Sequence, residues 1–232
     1  MTQRILHISS PLFVRESELS NIAIDQLFPR PQPLVLEIGC GIGDFIVQLA
    51  AANPTQNYLA IDIFNKGCLK TCRRLEKAGL DNVRVMRIEA RYLLTRYLKA
   101  ESLAAVHVNC PDPWPKKRHR DRRLINAEFM QLLLYVLQPN GDIFFSTDFT
   151  DYAEQVAELL PQLEAWRNQL PTPSTTELPG YPTSKYMRRF LELGQPIHFV
   201  HYRKRNDLPA GSIAKPSIEP GFRTAQKSSD HD

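Results

Sequence analysis

Between residues 34 and 165 the chain alternates between two apolar periods, and this alternation constrains its fold more than any other feature. Short runs rich in β-branched residues read as buried strands: Leu34–Ile38, Asn57–Asp62, Asn82–Arg87, Leu103–Asn109 and Asp142–Thr147. The stretches between and after them, Asp44–Ala52, Lys66–Ala78, Arg91–Lys99, Leu124–Leu137 and Tyr152–Leu160, have helical periodicity. Strands that alternate with helices pair in parallel and are covered on both faces. The expected fold is therefore α/β, a doubly wound, mostly parallel sheet in one domain spanning residues 1–205.

The flanks are less regular. Leu19–Phe28 reads as a short amphipathic helix in an N-terminal extension (residues 1–33), stopped by Pro29, Pro31 and Pro33. Residues 171–183 carry four prolines and Gly180 and read as an exposed loop, and Ile197–Lys204 as a final strand. Residues 206–232 are polar and rich in Pro and Gly, a composition expected to stay disordered. No apolar run approaches the roughly 20 residues that span a bilayer, and the first residues lack a signal peptide's apolar centre, so a cytoplasmic protein is expected. Of the four cysteines, only Cys68 and Cys72 are close in sequence, with no histidine nearby. Reduced, packed thiols are expected, with no metal site.

Glu37-Ile38-Gly39-Cys40-Gly41-Ile42-Gly43 follows the first of the five strands and opens a helix. Glycines there permit a tight turn and close approach of a ligand to free N–H groups at the helix start. A dinucleotide fingerprint would need glycine at position 44, where Asp44 stands, and a nicotinamide enzyme is disfavoured accordingly. The pattern resembles the first motif of class I S-adenosylmethionine-dependent methyltransferases, in which Glu37 can meet the cofactor's cationic amino-acid end. Asp62, closing the second strand, is an acceptor-only group suited to both ribose hydroxyls. Glu89, after the third strand, sits where such folds often bind the adenine edge.

Beyond the fourth strand comes Pro111-Asp112-Pro113-Trp114, a loop in which two prolines fix φ around one carboxylate. Lys116, Lys117, Arg118, Arg120, Arg122 and Arg123 follow, six cations in eight residues, although the net charge of the chain is only +4. Such density attracts a phosphate backbone. A held acid beside a polyanion grip points to chemistry on a nucleic acid.

Together the glycine loop, Pro111–His119, Arg122-Arg123-Leu124, Ser146-Thr147-Asp148 and Phe190-x-x-x-Gly194-Gln195-Pro196-Ile197 resemble the bacterial tRNA (guanine-N7)-methyltransferase family over about residues 15–205. The resemblance implies a Rossmann-like class I methyltransferase fold that transfers a methyl group from S-adenosyl-L-methionine to a variable-loop guanine of tRNA, position 46. It implies cofactor contacts at Glu37, Gly39, Gly41, Gly43, Asp62, Glu89 and Asp112, and a catalytic or base-orienting role for Asp112. Substrate contacts are implied at Lys116 and Asp148, and expected at Ser184 and at Arg118 and Arg120 of the basic run. No membrane and no obligate protein partner are expected. Two departures stand out: Met187 where the family carries glutamate, and Glu89 where shorter Asp or Asn is commoner.

Guanine N7 carries an in-plane lone pair at neutral pH, so methyl transfer needs alignment and charge stabilisation rather than a general base. Asp112 could stabilise the cationic product or accept from the guanine N1–H and amino group. Two other functions fit parts of the pattern. An amino-methyltransferase for adenine or cytosine would typically show adjacent prolines in [DN]-P-P-[FYW], unlike the order here. An RNA-binding protein that keeps the fold without catalysis is favoured by Met187 alone.

Overall fold

The computed structural model describes residues 6–208 together with 213, 214 and 217; most of the tail expected to be disordered lies outside them. Eight strands form one sheet: β1 (Phe13–Val14), β2 (Leu34–Ile38), β3 (Asn57–Asp62), β4 (Val83–Arg87), β5 (Leu103–Asn109), β6 (Leu137–Thr147), β7 (Trp166–Asn168) and β8 (His198–Lys204). Their order is β1-β4-β3-β2-β5-β6-β8-β7. Pairing is parallel from β1 through β6 and antiparallel at β8 and β7. The doubly wound, mostly parallel sheet expected from the alternation is what forms.

Because side chains alternate along a strand, each buried strand feeds two cores. Leu36, Ile38, Val106 and Val108 face α3 (Ala90–Arg96), α4 (Ala127–Val136) and α5 (Thr150–Leu159), whose Leu93, Leu94, Phe129, Leu133 and Val156 are buried with them. Val35, Tyr58, Ala60, Val83 and Val85 face α1 (Asp44–Ala52) and α2 (Asn65–Lys77) through Ile46, Ala50, Cys68, Cys72 and Leu75. The four cysteines are free thiols, three buried and Cys110 half-buried.

The helix expected over Leu19–Phe28 does not form. Two 3-10 turns, Glu16–Ser20 and Ile24–Leu27, take its place. Ile24 and Phe28 are buried but Ile22 faces solvent, so the apolar residues do not make one helical stripe. The arm is instead docked on α3, where Glu16 Oε1 accepts from the hydroxyls of Tyr92 at 2.8 Å and Tyr97 at 2.9 Å.

The proline-rich stretch 171–183 is not simply an exposed loop. Tyr181 packs its ring on Phe45, His107, Phe144 and Phe199. Its hydroxyl donates to Asn109 Oδ1 at 2.9 Å and lies 3.1 Å from His107 Nδ1. Beyond it an unexpected helix, α6 (Lys185–Glu192), leads to β8. Other elements differ from the expected ones, α3 ending at Arg96 instead of Lys99. β6 begins at Leu137, five residues before the apolar run; α4 starts only at Ala127, because Arg123 is extended and Asn126 caps the helix by accepting from Phe129 N at 2.9 Å; and the two-residue edge strand β1 is too short to show a pattern.

Gly67 of α2 packs against the glycine loop: a Cβ there would stand 2.4 Å from Gly41 O and 3.0 Å from Phe64 Cδ1. Gly67→Ala should therefore force the loop and helix apart, costing about 1–3 kcal/mol. Thermal denaturation should show a drop of about 2–4 °C per kcal/mol for a chain of this size; an unchanged melting temperature would mean that this approach is not tight.

Candidate active site

The sheet order reverses between β2 and β5: α1 and α2 lie on one side of that point in connectivity, α4 and α5 on the other. Open α/β sheets bind ligands in the crevice outside the strand ends at such a switch point. The glycine loop leaves β2 and the Pro111–Pro115 loop leaves β5, so both walls of the crevice are sequence motifs.

Gly39, Gly41 and Gly43 all have left-handed φ, at 80°, 54° and 79°. At Gly43 any side chain is doubly excluded, since a Cβ would also lie 2.8 Å from Thr71 Cγ2. At Gly39 nothing lies within 4 Å of a Cβ position, leaving space along the loop for a ligand. Asp62 fixes this loop: its Oδ2 accepts from Gly41 N at 2.7 Å and its Oδ1 from Phe64 N at 2.8 Å. Thr71 Oγ1 donates to Gly41 O at 3.2 Å, and Gly39 N and Cys40 N donate to Ile61 O at 2.9 and 3.0 Å.

Glu37, Asp62 and Asp112 converge electrostatically at this crevice. Burial, then the charge of Asp62, pushes Glu37 up to about 8, and its Oε2 is buried without a hydrogen-bond partner. Burial also raises Asp62 in spite of its backbone donors, and Asp112 adds to the rise. A cavity wall that disfavours carboxylate charge in this way is stabilised by a cation. Glu89, nearby after β4, is the cap of α3: its Oε2 accepts from Tyr92 N at 2.9 Å, and Arg91 Nη1 lies 3.9 Å from its Oε1.

Asp112 is exposed, at the tip of a loop bracketed by two non-glycine residues in the left-handed region, Cys110 and Trp114, both with φ of 44°. Such conformations cost of order 1–3 kcal/mol and persist only where the surroundings impose them. Cys110 N donates to Ser146 O at 2.9 Å at the loop's entry. At its exit the Trp114 ring lies beneath the Arg122 guanidinium, 5.1 Å from its centroid, and edge-on to His119. Burial pushes the Cys110 thiol up, and the charge of Asp148, just past β6, adds to the rise. The structure thus brings Asp112 and Asp148 to the same end of adjacent strands.

The basic run divides. Lys117, Arg118 and Arg122 are exposed on a 3-10 turn, Lys117–Arg122, capped by the exposed Lys116, rather than along a helix face. Arg120 is half-buried and held by the Asp151 carboxylate. Arg123, read from sequence as part of the phosphate grip, is fully buried and paired with Asp151 at 2.6 Å. It cannot reach solvent or a phosphate.

Ser184 caps α6, its Oγ accepting from Met187 N at 3.2 Å, while Ser184 N donates to Met187 Sδ at 3.4 Å. Met187 is buried, so an apolar packing role accounts for its presence without reference to substrate. α6 is tied beside the glycine loop by Asp44, which accepts from Arg74 at 3.0 Å and from Arg188 at 2.6 Å. The residue that breaks the dinucleotide fingerprint is therefore the ion-pair hub of α1, α2 and α6. Sequence offered no signal for that pairing, since its partners lie 30 and 144 positions away. Among the described residues no group of three or more His, Cys, Asp or Glu could hold a metal ion, and no helix is long and apolar enough to cross a membrane.

The fold and its crevice define a methyltransferase of the class I type. A family model described as "Putative methyltransferase" matches residues 31–200. Solved structures share the fold at low identity: the 16S rRNA methyltransferase KamB at TM-score 0.58 and 15% identity, covering 88% of this chain and 97% of that one, and an antibiotic-related methyltransferase at 0.55 and 17%, covering 75% and 88%. A tRNA (guanine-N(7)-)-methyltransferase of Syntrophotalea carbinolica is 57% identical, covering 97% of both chains. Another, of Geobacter metallireducens, is 54% identical over 87% of this chain and 97% of the relative. The chain belongs to the tRNA (guanine-N7)-methyltransferase family.

Glu37 gives a pH signature. Its folded-state pKa of about 8 exceeds the ordinary 4.5, so from about pH 4.5 to 8 the native state holds a proton that the unfolded state has lost. Stability contributed by this group is present below the lower value and falls as pH rises to the upper one. Glu37→Gln, which cannot ionise, should match the parent near pH 4.5 and melt a few degrees higher at pH 8.5. Equal melting temperatures at both pH values would contradict the raised pKa.

Proposed function

We propose that this protein transfers a methyl group from S-adenosyl-L-methionine to N7 of a guanine in tRNA, with the variable-loop guanine, position 46, as the target. The observation that carries the reading is the convergence of Glu37, Asp62 and Asp112 at the switch point, beside an exposed basic turn. The residues fit the cofactor: Glu37 has an unpartnered buried oxygen for a cationic amino group, the glycine loop offers open space, and Asp62 beside that loop is an acceptor suited to ribose hydroxyls. Bound there, S-adenosylmethionine would supply a methyl group made electrophilic by its sulfonium charge.

The chain's own work is then positioning and electrostatics. Lys116, Lys117, Arg118 and Arg122 draw in the tRNA backbone. The strained Cys110–Trp114 loop holds Asp112 toward the guanine, where its charge would stabilise the cation that forms as N7 takes the methyl group and the sulfonium–methyl bond breaks, leaving the neutral thioether S-adenosylhomocysteine. Asp148, at the neighbouring strand end, contacts the substrate from the other side. Met187 gives no support to an RNA-binding protein without catalysis, because its side chain serves packing and the α6 cap. Localisation in the cytoplasm accords with a tRNA substrate.

Methylated-position mapping of tRNA incubated with labelled S-adenosylmethionine tests the reaction; label at an exocyclic amine would overturn it. Asp62→Ala should weaken cofactor binding by about 1.5–3 kcal/mol, the scale of a lost charge-assisted bond, measured by calorimetric titration. An unaltered isotherm would remove Asp62 from the site. Asp112→Asn should lower turnover on the order of 10²-fold with an unchanged melting temperature; parent-like rates in both Asp112→Asn and Asp112→Ala would make this residue structural. Arg118→Ala should reduce the slope of log tRNA affinity against log salt by about 0.7–0.9 while leaving cofactor affinity intact. A slope identical to the parent's would reassign Arg118 to a solvated surface.

A further inference from the structure

We infer that Arg123 is a positioning residue for Asp112, and that the last cation of the basic run acts on the reacting loop from behind instead of on the tRNA. The side chain is fully buried. Its Nε donates to Pro113 O at 2.8 Å, in the residue directly after Asp112. The other end of the guanidinium is anchored on α5: Nη1 donates to Gln155 Oε1 at 2.5 Å and Asp151 O at 3.3 Å, and Nη2 to Asp151 Oδ2 at 2.6 Å. The cation also lies over two aromatic rings, 4.8 Å from the Tyr152 centroid and 5.6 Å from that of Phe149.

The loop's composition explains why an outside donor is required. Pro111, Pro113 and Pro115 have no N–H, so alternate residues of the loop can only accept hydrogen bonds. Strain at Cys110 and Trp114 pushes the loop away from its conformation unless something else holds it. Arg123 supplies a rigid fork of donors whose charge is balanced by Asp151, a geometry that lysine cannot copy. Because Asp151 sits in the first turn of α5, just after Asp148, one guanidinium fixes the spacing between the two acids that face the substrate. Arg120, sharing the Asp151 carboxylate, links this buried pin to the exposed turn.

This inference rests on the proposed reaction at Asp112, and the experiment separates the two. Arg123→Lys is made in the parent and in a Trp166→Phe background, where Trp114 is the one remaining tryptophan. Expected is a fall in kcat of about 10- to 100-fold, the scale for a displaced reacting group, with KM for tRNA, affinity for S-adenosylhomocysteine and the salt slope all unchanged. Fluorescence anisotropy of Trp114 should fall as the loop loosens. A lowered melting temperature with parent-like kcat and anisotropy would overturn the inference by making Arg123 a packing residue. A salt slope lowered by about 0.7–0.9 would overturn it in favour of a phosphate contact. Should Arg123→Lys fail to fold, Gln155→Leu removes one anchor without stranding the charge; it should lower kcat in the same direction by a smaller factor, and an unchanged kcat in that folded variant would count against the pin. An inactive parent would instead sink the proposed reaction, leaving the anisotropy of Trp114 to decide the positioning.

Discussion

The bond from the Gly41 amide to Asp62, 2.7 Å long, joins the ends of β2 and β3 across the mouth of the crevice. It exists because parallel strands in adjacent register deliver their C-terminal residues to the same edge: Ile38 pairs with Ile61, one residue before each motif turns away. Everything else at the site is arranged around this joint. Gly67 lets α2 close on the loop from one side, Asp44 draws in α6 from the other, and the ring of Tyr181 seals the floor beside β5. With Glu37 enclosed by these elements, its carboxyl is raised to about 8 and one oxygen is left unmatched. A carboxyl so placed keeps its proton to a higher pH than usual unless a cation stands beside it.

A second buried polar group beside this joint is settled without charge. His107, on β5, is driven down to about 3, chiefly by burial, and is therefore neutral at any working pH. Stacked on Phe144 with rings nearly parallel, it meets the Tyr181 hydroxyl, which passes the hydrogen bond on to Asn109 at the strand end. Ser146 Oγ donates to the same Asn109 oxygen at 2.9 Å. Beside β5 the floor of the crevice is thus a chain of neutral hydrogen bonds.

The basic run shows how burial reassigns residues that composition treats alike. From Lys116 to Arg123 the spacing of cations gives no hint of which face inward. The 3-10 turn Lys117–Arg122 presents three of the six to solvent and its cap Lys116 a fourth, whereas the extended backbone at Arg123 points its side chain under the loop. Asp151 then compensates two arginines with one carboxylate, and Tyr152 and Phe149 complete the enclosure. Exposed and buried cations are therefore interleaved in one continuous motif.

What the sequence determined by itself was the alternation of elements, hence the parallel sheet and its switch point, and the motifs at the strand ends. Those depend on local periodicity and on residues with restricted backbones, and both are written in consecutive positions. The glycine loop, Asp62 and the Pro111–Trp114 loop were legible for that reason, as was family membership. Tertiary structure alone decided the rest. An arm with too few apolar residues for one stripe became two short turns held by Glu16; a proline-rich stretch was pulled inward by the packing of Tyr181; α6 formed where Ser184 could cap it and Arg188 could reach Asp44. The fates of Met187 and Arg123 were decided in the same way. Each of these depends on partners far away in the chain, and a group's charge or polarity says nothing about its burial until the fold has placed those partners around it.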